Sequence, residues 1–197
     1  MNFFKRLFNS NQDKTEKESP QEQSLGSLSL EESFVHQFVS KGGKFLYCSN
    51  TEELDKQFLN IAKENNWTDV NVFDHNLSKL IQKEKVIQHK KHTVAFPFFT
   101  TCEHLIAENG DVLFSSNQLN SAKLSEFSKD FIVYATTSQI VKDTGEGLTG
   151  IKTNFKENIP TNISAIRNYN LNNEDDNSLN YGNNNSKNLY LLLFENL

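Results

Sequence analysis

The chain has 197 residues, a formal net charge of −5 and an isoelectric point near 5.6, which argues against a basic nucleic-acid binder. Only 36% of residues are hydrophobic and mean hydropathy is −0.60, so one folded domain with polar tails is expected. No apolar run approaches the roughly 18 residues of a membrane span, so stable membrane insertion is not expected.

Residues 1–8, MNFFKRLF, read as a short amphipathic peptide, with Phe3, Phe4, Leu7 and Phe8 on one face and Lys5 and Arg6 opposite. It suits docking to a membrane surface or a partner, or folding back onto its own domain. Residues 9–27 are rich in Gln, Glu, Lys, Ser and Asn and read as a disordered linker. A folded domain is expected over 28–197.

Phe34, Val35 and Phe38 recur at helical spacing, and Gly42 and Gly43 supply a left-handed cap. KFLYC (44–48) reads as a buried strand. Asn50 with Glu53 makes a capping box for a helix whose apolar face is Leu54, Phe58, Ile61 and Ala62. DVNVFD (69–74) reads as a strand, and Leu77, Leu80 and Ile81 as a short helix. The Lys-rich run from Lys83 to Lys91 is a solvated basic face. TVAFPFF (93–99) predicts a third strand, with Pro97 placing its end at an edge or a bend.

Thr100 or Thr101 is expected to cap a short helix through Ile106, and DVLFSS (111–116) to follow Gly110 as a strand. FIVYAT (131–136) is the most strand-like run. Leu148, Ile151, Lys152 and Phe155 predict a last helix. Between Asn168 and Asn188, 10 of 21 residues are Asn, which marks a loop before the last strand. That strand, NLYLLLF (188–194), is apolar throughout, as a central strand covered on both faces would be.

Strands alternating with helices imply an α/β fold with a mainly parallel sheet flanked by helices. Ligands of such sheets sit beyond the carboxyl ends of the strands, near 48–51, 99–102 and 135–138. No P-loop, GxGxxG, GxSxG or HExxH is present. Cys48 and Cys102 belong to no CxxC pair, fit a reducing cytoplasmic compartment, and are too few for an iron–sulfur cluster, which takes roughly four. His89 and His92 flank two lysines, which opposes a metal. Cys102 and His104 would diverge on a helix, so Cys102 reads as a small buried residue. No cofactor is expected.

TTCEHLIAENGDVLFSS (100–116) carries the most information. It reads as a capped helix start with free amides at Thr100 and Thr101, a loop acid at Glu108, and Gly110, which permits close approach or a tight turn. A small-anion site and an ordinary βαβ corner both explain these residues.

This segment resembles the LUD (lactate-utilisation) pattern T-x-C/A-x-x-x-I-A-x-T-G-S/T followed by a strand. FIVYATTSQIV (131–141) is similar to its H-I-V-V-A-x-x-x-Q-I-V, and the stretch ending in NLYLLLF to its closing G-x-H-G-P-x-x-L-x-x-x-L. The likeness runs from about Phe34 to the C-terminus, and the chain is similar to the C-type lactate utilisation protein as a divergent member of the family. It implies a fold like that of ribose-5-phosphate isomerase, glucosamine-6-phosphate deaminase and CoA transferases. It implies an accessory role in oxidising lactate or a related 2-hydroxy acid beside two iron–sulfur-type partners, and not a stand-alone enzyme. The alternative is a non-catalytic interaction or regulatory module on the same fold.

Departures are specific. TNISAIRNYN (161–170) stands where the family has G-P-S-R-T-A-D-I-E, and Arg167 replaces the family arginine only if the alignment shifts. Asn183, Asn184 and Asn185 replace H-G-P. Phe131 stands for a histidine and Asn109 for a threonine. The resemblance therefore leaves a candidate site for a small carboxylate or phosphate on Thr100, Thr101, Glu108 and Gly110. Ser115, Ser116 and Ser138 are its candidate neighbours, and Lys123 its compensating cation.

Overall fold

A computed structural model describes residues 28–81, 85–91, 93–171 and 185–195. The expected peptide at 1–8, the linker at 9–27 and most of the Asn-rich loop lie outside those residues.

The first helix, α1 (Leu30–Ser40), starts at a reciprocal capping box between Ser29 and Glu32 and buries Phe34, Val35 and Phe38. It ends as the glycines predict. Gly42 takes φ +90, its N–H bonds to the Val39 carbonyl at 2.9 Å, and the Gly43 N–H bonds to the Phe38 carbonyl at 3.0 Å. Strand β1 (Lys44–Cys48) leads to α2 (Thr51–Glu64), which buries Leu54, Phe58, Ile61 and Ala62. Asn50 caps α2 by accepting from the Glu53 N–H at 2.8 Å. The reciprocal half of that box is displaced by one residue: the Glu53 carboxylate accepts from the Ser49 N–H and hydroxyl instead.

Next come β2 (Asp69–Val72), α3 (His75–Leu80) and β3 (Ile87–His89). The expected strand at 93–99 is shorter and later. Only β4 (Phe98–Thr101) is extended. The buried side chain of Asn71 donates to the carbonyls of Thr93 and Phe96, both at 3.0 Å, and holds the preceding turn. Pro97 sits before the strand, so its missing N–H removes no ladder bond.

The expected helix from Thr100 or Thr101 to Ile106 does not form. Those threonines are the last two residues of β4, and β5 (His104–Ile106) follows as a strand. It pairs antiparallel with β6 (Asp111–Phe114). The four-residue helix α4 (Ser116–Leu119) comes next, then β7 (Asp130–Thr136), β8 (Ile140–Val141), α5 (Thr144–Asn154), β9 (Ser164–Ile166) and β10 (Asn188–Phe194).

Two sheets result. The larger has six strands in the order β1-β10-β7-β4-β2-β3, all parallel. The smaller, not foreseen from sequence, has the order β8-β5-β6-β9. Leu189, Leu191 and Leu193 of β10 face a core shared with α1 and the smaller sheet, which includes Phe34, Phe38, Leu105 and Phe114. Tyr190 and Leu192 face the other core, with Leu54, Phe58 and Ile61 of α2 and Leu77 of α3. The large sheet is thus covered on both sides, as the unbroken apolar run of β10 requires.

Candidate functional site

The strand order fixes where a crevice opens. From β2 the chain moves outward to β3, whereas from β4 it moves the other way to β7. That divergence is a topological switch point, the usual place for a ligand on a parallel sheet. Val72, the last residue of β2, registers with Phe99, so Thr100 and Thr101 run past the end of β2 while still pairing with Val133 and Tyr134 of β7. The adjoining turn is closed by Asp74, whose carboxylate accepts from the N–H groups of Asn76 and Leu77 at 2.7 and 2.9 Å. Thr100 is buried, and its hydroxyl donates to the Thr101 carbonyl at 3.1 Å.

Beyond Thr101 the chain bends into the second sheet, and a side chain not singled out from sequence organises the bend. One oxygen of Glu103 accepts from the Ser115 hydroxyl at 2.5 Å, the Asn117 amide at 2.8 Å and the Gln118 amide at 3.2 Å. Ser115, fully buried, also caps α4. Gln139, after β7, donates through its amide nitrogen to the carbonyls of Cys102 (2.6 Å) and Glu103 (3.3 Å). Its amide oxygen accepts from the Thr136 N–H at 2.8 Å, and the hydroxyls of Thr136 and exposed Ser138 lie 2.9 Å apart. Glu103 stands two residues after Thr101, and no sequence signal marked it out.

The structure therefore divides the sequence-derived set. Thr100, Thr101, Ser115 and Ser138 belong to the bend at the carboxyl ends of β4 and β7. Ser116 is beside Ser115, with its hydroxyl accepting from the Thr161 N–H at 3.0 Å. Glu108 and Gly110 lie in the turn at the far end of the β5–β6 hairpin, about 15 Å from Glu103 by strand rise. Glu108 is exposed, and its N–H donates to the Lys142 carbonyl at 2.9 Å. Gly110 takes φ +73 and lies against the backbone of α1, so its openness is filled by the protein itself. Lys123 is exposed, with its N–H on the Glu126 carboxylate at 2.9 Å.

The thiols are poor nucleophiles. Burial, then the charge of Glu53, pushes Cys48 up to about 12. Burial, then Glu103, raises Cys102 well above the ordinary thiol range. The Cys102 sulfur meets the Gln139 amide nitrogen at 3.8 Å, while His104 reaches the Gln139 carbonyl at 3.4 Å and lies beside Gly150 of α5. The described residues contain no group of three metal-ligating side chains. The bend is thus a network of hydroxyls and amides bonded around one braced carboxylate at the carboxyl ends of β4 and β7.

These elements define a family. The LUD domain matches residues 31–194, and the chain belongs to the LUD domain family, which is associated with lactate utilisation in general. No curated protein matches. A crystal structure of a DUF162 family protein from Deinococcus radiodurans superposes with a TM-score of 0.55 at 13% identity, covering 86% of this chain and 99% of that one. At that identity the likeness concerns fold alone. No helix among the described residues is long and apolar enough to cross a membrane.

Proposed function

We propose that this chain is an accessory LUD-domain protein of lactate (2-hydroxy acid) utilisation, acting in the cytoplasm with iron–sulfur partner proteins and not as a stand-alone enzyme. The observation that carries the reading is the family match over 31–194, which spans every described element of both sheets. Thr101 and the exposed Ser138 support it, because they stand at the carboxyl ends of β4 and β7, beside the switch point where ligands of parallel sheets sit. A small carboxylate or phosphate is the ligand expected there, with its negative charge compensated from outside the bend, where the neighbouring side chain is the acid Glu103.

The non-catalytic interaction module is the second reading. It is favoured by how completely the family-like residues serve the fold: Ser115 binds Glu103, and Gly110 is occupied by α1. Affinity purification of the full chain from cells grown on L-lactate separates the two. Recovery of iron–sulfur proteins, identified by their visible absorbance and bound iron, supports the first reading. Their absence from material purified anaerobically favours the second.

A further inference from the structure

At the opposite, amino-terminal end of the large sheet, the α2–β2 connection and the start of β3 line an open pocket of about 370 Å³. Leu59, Ala62, Trp67 and Val86 give it an apolar lining, and Lys63 and Lys85 stand at it as cations. Among the described residues neither lysine has an ion-pair partner. The volume falls in the range of small-ligand sites.

Helix α2 ends beside this pocket, and bare carbonyls there would repel an anion. They are taken. The Ile61 carbonyl accepts from the Asn65 N–H (3.1 Å) and side-chain amide (2.8 Å), Ala62 from the Trp67 N–H (2.8 Å), and Lys63 from the Asn66 N–H (3.2 Å). Trp67 is braced from behind, its ring meeting the Tyr190 ring edge-on with centroids 5.9 Å apart. The Ile87 N–H on the Thr68 carbonyl, at 2.8 Å, fixes the start of β3 alongside. The lining is therefore held in place, apolar within and positive at its border, in a chain whose overall charge is −5.

We propose that this pocket is a second binding site, separate from the β4–β7 bend, for a small organic anion with an apolar body, such as a medium-chain carboxylate. The apolar body occupies the space between Leu59, Trp67 and Val86, and the carboxylate meets Lys63 and Lys85. The inference does not depend on the function proposed above.

Trp67 is the only tryptophan in the chain, so its fluorescence reports occupancy directly. The full chain is titrated with octanoate, octan-1-ol and acetate, and a Lys63→Gln/Lys85→Gln variant with octanoate. Octanoate is expected to shift the emission saturably, with the alcohol and acetate binding about tenfold more weakly and the double variant losing about five- to tenfold in affinity. An unsaturable response, equal binding of octan-1-ol, or undiminished binding by a double variant of unchanged circular dichroism overturns the proposal. The comparison of acid with alcohol on the unaltered chain decides even if the variant fails to fold.

Discussion

Gly110 and Phe38 touch through their backbones: a β-carbon built on Gly110 would lie 2.5 Å from the Phe38 amide nitrogen and 2.9 Å from its α-carbon. The β5–β6 hairpin thereby seats on α1, and the contact is reinforced by the Tyr169 hydroxyl, which donates to the Gly110 carbonyl at 2.6 Å. Asp111, the next residue, is buried and ion-paired with Lys41 (3.1 Å) and Arg167 (3.3 Å).

Gly110→Ala combines a left-handed φ with a backbone clash, so it should destabilise the domain by at least about 2 kcal/mol. Chemical denaturation measures this. A loss below about 0.5 kcal/mol would mean that the hairpin moves off α1 freely.

Leu192→Ala and Leu193→Ala probe opposite faces of β10, where both residues are fully buried. Each should cost roughly 2–5 kcal/mol in the same assay. A nearly silent change at either position would show that its face is open.

What could be read from the sequence, and what could not, follows from the range of the interactions. β10 declared both its faces because every residue from 189 to 193 is apolar. α1 and α2 declared theirs by periodicity. The smaller sheet was hidden because β5 has three residues and β8 two, and such pieces become strands only when Leu105 and Ile106 find Ile140 and Val141. Thr100 and Thr101 carry the residue types of a helix cap, yet their long-range pairing with β7 wins over that local preference. The bend was half legible: its threonines and Ser115 stood out, whereas Glu103 is recognisable only once α4 brings Ser115, Asn117 and Gln118 onto it.

Ser115→Ala removes both the α4 cap and the shortest bond to Glu103, and should destabilise by about 1–2 kcal/mol. Asn117→Ala removes an exposed bond to the same oxygen and should cost less than about 0.5 kcal/mol. Equal losses would contradict the central place given to Ser115.

Lys187 is buried against the Phe131 ring and donates to the carbonyls of Phe127 and Ser128 at 3.2 and 2.9 Å. Burial pushes its amine down to about 8. Between pH 8 and the ordinary lysine range the unfolded chain holds this proton more tightly, so the Lys187 contribution to stability increases with pH there. Stability of the native chain relative to Lys187→Met should therefore improve from pH 7.5 to 10, by at most on the order of 3 kcal/mol. A difference independent of pH would mean that the amine titrates as in water.

The central claim is that this chain serves lactate oxidation without performing it alone. The direct measurement is L-lactate-dependent dye reduction in extracts of cells lacking the gene, with and without the gene restored. Loss of lactate-dependent reduction on deletion, recovery with the intact chain, and no activity from the purified chain by itself are the predicted results. Undiminished lactate oxidation in the deletion extract, or turnover by the isolated chain, would contradict the account.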